Sequence, residues 1–208
     1  MDASELIPVK SIVPVVVIND AGCAADLGML LADAGFGAIE VTLRTPVALE
    51  VIELIATKVP DLMVGAGSIR DPDQFVRVRN CGAQFAVSPG ASDRLVTAAK
   101  AIGMPFVPGA ATPSEMIALL EKGYRLQKYF PAELSGGMAR IKALSAPLPE
   151  IRFFPTGGIN ANSAGDYLTI ECVHCIGGSW FVPADMIEEK RFSEMASLAR
   201  DALKIPHG

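Results

Sequence analysis

The sequence predicts an α/β protein, a single-domain (β/α)8 barrel over residues 1–208, and three observations carry that prediction. Apolar segments rich in β-branched residues begin near Ile12, Gly37, Leu62, Gln84, Pro105, Arg125, Ile151 and Cys172 at nearly even spacing, with amphipathic stretches of helical period between them. No linker, low-complexity run or composition shift divides the resulting series of βα units. Half of the residues are hydrophobic, enough for one sizeable core. A doubly wound open sheet is the alternative architecture.

The helices are placed by their ends. Asp20 opens the first, with Ala24, Leu27, Leu30 and Leu31 as its apolar stripe and Gly35 past its end. Pro46 starts the second, and Asp71-Pro72 caps the third. Thr112-Pro113 caps the fifth, whose Met116, Leu119 and Leu120 face inward before Gly123 closes it. Asn160 or Asn162 caps the seventh, and Phe192 to Leu203 forms the last.

Composition removes several functions. A net charge of -5, with no run of Lys or Arg, argues against nucleic acid and anionic membrane as partners and for a small molecule. Asp2 and Glu5 stand where a signal peptide would be basic, and the apolar run Ile12 to Ile18 is too short to span a bilayer, so a cytoplasmic location is expected. Four cysteines do not make a disulfide scaffold. Cys172-Val-His-Cys175 reads as part of a strand, where residues three apart face opposite ways, so its thiols are expected to be structural. His174 and His207 are too few for a three-histidine metal site or an interior triad, and His174 reads as a hydrogen-bonded core residue. Acid–base work therefore falls to carboxylates and lysines.

In a parallel barrel the site lies at the C-terminal ends of the strands, and these ends are unusually polar. Over Gly37 to Thr45 the period of two puts Glu40, Thr42 and Arg44 on one face and Ile39, Val41 and Leu43 on the other. The same split in the sixth strand groups Leu126, Lys128 and Phe130 and leaves Tyr129 outward. Three inward charges on two strands are costly in a core and point to a site rather than to structure, although an ion pair is the plain alternative. Glycine loops follow the strands at Gly65-Ala-Gly-Ser68, Ser88-Pro-Gly90, Pro108-Gly109, Thr156-Gly-Gly158 and Gly177-Gly-Ser179. The loops after strands seven and eight, through Gly157, Gly158, Gly178 and Ser179, are expected to hold a phosphate on backbone amides and a hydroxyl.

Six motifs in order, Glu40-Val-Thr-Leu-Arg-Thr45, Gly65-Ala-Gly67, Ser88-Pro-Gly90, Lys128-Tyr-Phe-Pro-Ala-Glu133, Pro155-Thr-Gly-Gly-Ile159 and Gly177-Gly-Ser-Trp180, resemble those of the 2-dehydro-3-deoxy-6-phosphogluconate (KDPG) and 4-hydroxy-2-oxoglutarate (KHG) aldolases. The resemblance runs from Ile12 to the last helix. It implies a metal-free, cofactor-free class I aldolase, a homotrimer of barrels. Such an enzyme cleaves KDPG, a 2-keto-3-deoxy sugar acid phosphate, to pyruvate and glyceraldehyde 3-phosphate, and also acts on 4-hydroxy-2-oxoglutarate. The Schiff-base lysine falls on Lys128, the acid/base glutamate on Glu40, and the carboxylate-binding residues on Arg44 and Ser68, where threonine is usual. The substrate pocket falls on Pro89, Phe130 and Thr156.

A protonated lysine cannot attack a ketone, so burial by Leu126 and Phe130 and the charge of Arg44 are expected to favour the free amine. Removing Lys128 is expected to leave the fold intact, and Glu133, beyond Pro131, is not the expected base. Two other readings of the residues are a sugar-phosphate isomerase or epimerase with Glu40 as base, and a non-catalytic sugar-phosphate-binding barrel.

Overall fold

The structure, a computed structural model, describes residues 3–206; His207 lies outside them. Eight parallel strands occur among these residues: β1 (Ser11–Val16), β2 (Ala38–Thr42), β3 (Met63–Gly67), β4 (Phe85–Val87), β5 (Phe106–Val107), β6 (Leu126–Tyr129), β7 (Arg152–Pro155) and β8 (Cys175–Gly178). Six of them form one sheet in the order β5-β4-β3-β2-β1-β8, curled into a half-barrel, and β6 pairs with β7. Single bridges connect the two pieces, at Gly109 with Lys128 on one side and at Phe153 with Val173 and Thr156 with Gly177 on the other. The connecting hydrogen bonds are ordinary ladder bonds, such as Lys128 N to Pro108 O at 2.9 Å and His174 N to Phe153 O at 2.9 Å.

Helices follow the strands: α1 (Ala24–Ala34), α2 (Ala48–Lys58), α3 (Pro72–Asn80), α4 (Asp93–Ala101), α5 (Pro113–Glu121), α6 (Gly137–Ser145), α7 (Ala164–Thr169), α8 (Ala184–Glu188) and α9 (Phe192–Leu203). Local chemistry sets several of their starts. Asp71 and Thr112 each close a reciprocal capping box, with Gln74 and Glu115, and each is followed by proline at the first helical position. Asp20 accepts from Gly22 N at 2.9 Å and so starts a single 3-10 turn, Ala21–Cys23, that leads into α1; Gly35 ends α1 at φ 107°. Two expected starts shift. α2 begins at Ala48 rather than at Pro46, because Thr45 to Val47 are spent turning the chain off β2. α7 is preceded by Ser163, and Asn160 Oδ1 bonds Asn162 N within the loop instead of capping the helix.

The strands bury both of their faces, and the buried apolar side chains divide accordingly into two clusters. Ile39, Val41, Val64, Ala66, Phe153 and Ile176 pack outward against the helices. Val13, Ala38, Phe85, Val87, Val107, Leu126, Phe154 and Cys175 fill the inner face, with Ala3 and Ile7 of the N-terminal segment packed among them. His174, buried, holds that segment through a 2.7 Å hydrogen bond between Nε2 and the Ile7 carbonyl, the structural role expected of it. A methyl group on Gly65 would overlap the Phe85 ring, so that glycine makes room for the aromatic filling of the interior.

The last strand starts later than Cys172: that residue sits in the turn before it and packs outward, whereas Cys175 opens β8 and packs inward. The two thiols therefore diverge, and all four cysteines are free. No helix among the described residues is long and apolar enough to cross a membrane.

Candidate active site

β2 and β6 are not neighbours in the strand order, yet their inward side chains meet. Lys128 Nζ lies 2.8 Å from Glu40 Oε1 and 3.1 Å from Oε2, with Glu40 fully buried and Lys128 5% exposed. The contact needs space on the neighbouring strand, because a side chain on Gly67 of β3 would collide with the Glu40 carboxylate. Around the ammonium stand the rings of Phe130 and Phe154, with centroids 5.7 and 5.8 Å away. Phe154 is the direct register partner of Lys128 on β7. Beside the pair lies Cys175, whose thiol is pushed well above its ordinary range by burial and then by the charge of Glu40, and so stays protonated.

This arrangement corrects two expectations. The charge next to Lys128 is Glu40, not Arg44. β2 ends at Thr42, so Arg44 stands in the turn beyond it, exposed, with its Nε donating to Ser68 Oγ at 3.2 Å. A guanidinium at the rim keeps water on its remaining donors, which a place in the interior would strip away. Nor is removal of Lys128 neutral to the fold. It would leave the Glu40 carboxylate buried without its partner, which costs about 3–5 kcal/mol for a buried pair.

A cavity of about 180 Å³ opens above the pair, and Lys128, Phe130, Arg44 and Thr156 line it together with Gly157, Gly158 and Ser179. A narrow crevice bounded by Arg44, Ser68, Pro89, Lys128 and Phe130 adjoins it. Nine of the expected site residues thus line these two adjoining spaces. Gly178 does not line it: the Trp180 ring covers its Cα, and a side chain there would strike the ring.

The rim has polar groups to spare. Thr156 Oγ1 is buried and makes no hydrogen bond. Gly157 and Gly158 adopt φ of 100° and 86°, a region open to glycine at little cost, and among the described residues their amides find no partner in the chain. Unsatisfied amides in successive left-handed residues form a concavity suited to an anion. Ser68 is a non-glycine residue at φ 60°, a strained backbone whose hydroxyl is aimed at Arg44.

Sequence reasoning missed Phe154, Cys175 and the cavity walls Val15, Val17 and Ile159. Strand alternation flags Phe154 and Cys175 as inward once β7 and β8 are placed correctly, but their proximity to Lys128 depends on register. Thr42 lines the cavity while its hydroxyl donates to Val16 O at 2.9 Å, tying β2 to β1.

Known proteins share this framework. A family model for KDPG and KHG aldolases matches residues 4–198. The 2-dehydro-3-deoxy-phosphogluconate aldolase of Dickeya dadantii is 42% identical over 201 residues, covering 97% of this chain and 94% of that protein. The KHG/KDPG aldolase of Escherichia coli K12 is 40% identical over 202 residues, covering 97% and 95%. Among solved structures, the KDPG aldolase of Legionella pneumophila with pyruvate captured as a covalent carbinolamine intermediate superposes with a TM-score of 0.93 at 38% identity, over 97% of this chain and 98% of that one. With nearly its whole length matched by sequence and by fold, the chain belongs to the KDPG and KHG aldolase family.

Proposed function

We propose that this protein is a class I aldolase that cleaves 2-dehydro-3-deoxy-6-phosphogluconate to pyruvate and glyceraldehyde 3-phosphate, and 4-hydroxy-2-oxoglutarate to pyruvate and glyoxylate. The observation that carries the proposal is the buried Lys128–Glu40 contact of 2.8 Å at the base of a cavity rimmed by free glycine amides. The relatives' names and the trapped pyruvate in the Legionella enzyme support it.

The pair accounts for both halves of the chemistry. Passing its proton to Glu40 converts an ammonium and a carboxylate, both poorly solvated, into a neutral amine and a neutral acid, and frees the lysine lone pair. The amine adds to the keto carbon, C2, forming a carbinolamine. Glu40 returns the proton to the departing oxygen, which leaves as water, and an iminium remains on Lys128. Glu40, again a carboxylate, takes the proton from the C4 hydroxyl. The C3–C4 electron pair then flows into the iminium, releasing the aldehyde and leaving an enamine. The same carboxyl protonates C3, and hydrolysis of the resulting iminium yields pyruvate and free Lys128. Glu40 thus handles each proton in turn without leaving hydrogen-bond reach of the nitrogen.

Binding follows from the rim. Arg44, with Ser68 holding its Nε, presents the remaining edge of its guanidinium to the substrate carboxylate. The Phe130 and Phe154 rings flank the adduct, and Pro89 and Thr156 complete the pocket. The phosphate goes to Gly157, Gly158 and Ser179. Gly178 contributes only the close approach of Trp180 that its missing side chain permits.

The proposal extends to architecture. The chain forms one domain over residues 1–208, a closed (β/α)8 barrel, supported by the bridges that connect β5 to β6 and β7 to β8. If so, the amides of Lys128 and Phe153, in those connecting ladders, resist hydrogen exchange as strongly as that of Val41 in the continuous sheet. Faster exchange by orders of magnitude would mean an open half-barrel. The protein is proposed to act in the cytoplasm as a homotrimer, and its free thiols suit a reducing compartment. Light scattering on the eluted protein is expected to read three copies of the 21.9 kDa chain; a monomer would refute the assembly.

Incubation with pyruvate and borohydride is expected to leave one reduced adduct, located by mass spectrometry on Lys128. An unmodified Lys128 in active protein rules out the Schiff base and returns the site to an isomerase-like role for Glu40. Glu40→Gln keeps the shape and a hydrogen-bond acceptor but loses the base, so cleavage and pyruvate C3 proton exchange should fall about a hundredfold or more while some adduct still forms. Unchanged turnover of that variant would reassign the proton transfers.

A further inference from the structure

The loops that carry the two halves of the site are laced together by backbone bonds, and a side-chain pair with no part in the chemistry above ties the first of them to the helix that follows the second. Beyond β6 the chain runs through Phe130, Pro131, Ala132 and Glu133; beyond β7 it runs through Thr156, Gly157 and Gly158. Three backbone bonds zip these segments: Thr156 N to Tyr129 O at 3.0 Å, Ala132 N to Thr156 O at 2.8 Å, and Glu133 N to Gly157 O at 3.1 Å. Consecutive carbonyls of the glycine loop are thereby turned toward the lysine loop, which leaves the amides of Gly157 and Gly158 free for the cavity.

The Glu133 side chain continues the seam. Its Cβ and Cγ lie against Gly158, where any added methyl would sit 2.7 Å from them. Its Oε1 accepts from Tyr167 Oη at 2.6 Å. Tyr167 is fully buried on α7, the helix into which the glycine loop runs, and its hydroxyl is pushed up by burial first and then by the hydrogen bond to, and charge of, Glu133. The other end of the β6 loop is also fastened, by Tyr129 Oη to the Ser135 carbonyl at 2.5 Å and Gly137 N to Ala132 O at 2.9 Å.

A carboxylate this close to an anion-binding loop would oppose a phosphate if its charge were aimed at the cavity. Here the charge is turned away, onto a buried phenol, and only its methylenes touch the loop. A loop that must present two amides at a fixed distance from Lys128 needs a rigid brace on its outer side, and the exposed Glu133, held at its carboxylate by a buried phenol and packed by its methylenes on Gly158, is placed to supply one. We infer that Glu133 and Tyr167 are positioning residues: their hydrogen bond fixes the Gly157-Gly158 amides relative to Lys128, and so sets the preference for substrates that carry a terminal phosphate.

The inference rests on the aldolase reading, and the test separates the two. Tyr167→Phe removes one hydroxyl and keeps the packed ring. KM for the phosphorylated substrate is expected to rise about tenfold, the loss of one charge-assisted hydrogen bond, and inhibition by inorganic phosphate to weaken in parallel. Turnover of 4-hydroxy-2-oxoglutarate and borohydride trapping of pyruvate on Lys128 should stay within about twofold of the parent protein. Glu133→Ala should behave alike, and Glu133→Gln, which keeps an acceptor for the phenol, should recover most of the loss. Equal losses on both substrates, or no loss on either, overturn the positioning role while pyruvate trapping still upholds the aldolase. Failure of the parent protein itself to trap pyruvate overturns the aldolase reading and this inference with it.

Discussion

The ion pair between Lys128 and Glu40 is the constraint on which the rest of the site depends. Two opposite charges in an interior can stay there only if they satisfy each other, since an unpaired one costs several kcal/mol. The surrounding residues read as consequences. Gly67 is bare because the Glu40 carboxylate occupies the space a side chain would take. Phe130 and Phe154 flank the nitrogen with apolar rings, which lowers its solvation and strengthens the pair. Cys175, neutral and small, brings no third charge beside the pair.

Two layers of packing allow such a pair to exist. The outer cluster, between strands and helices, holds the strands in place without using the inner face. The inner cluster fills only the lower part of the interior, with Phe85 reaching into the gap at Gly65 and Ile7 packed in from the N-terminal segment. The buried charges and hydroxyls Glu40, Thr42, Ser88, Lys128 and Thr156 gather toward the C-terminal ends of the strands, whereas Gln127 and His174 hydrogen-bond to backbone carbonyls elsewhere. Rim and base differ in kind: the base is dry and holds paired charge, and the rim is wet and holds spare donors such as Arg44 and the Gly157 and Gly158 amides.

Much of this was legible in the residues. The alternation of Glu40 with Ile39 and Val41, and of Lys128 with Gln127 and Tyr129, told which side chains look inward, because a strand has a period of two. Capping boxes at Asp71 and Thr112 named two helix starts outright. Failures came where local rules compete. Pro46 suits a helix start, but the chain was still turning; Asn160 can cap a helix, but closed its own loop instead. Arg44 continued the polar face on paper, and strand β2 ended two residues before it.

By itself the sequence determined an α/β fold of parallel strands and singled out Glu40 and Lys128 as charges set in apolar strands, since those follow from periodicity and from the scarcity of charges in apolar segments. Only the tertiary structure decided which charge faces which. Glu40 and Lys128 are 88 residues apart and lie on strands that are not neighbours, so their 2.8 Å contact is a property of sheet curvature and register. The same holds for Glu133 and Tyr167. Nothing in Lys128-Tyr-Phe-Pro-Ala-Glu133 says what the glutamate holds; its partner, Tyr167, becomes visible only when the loop after β6 is packed against α7.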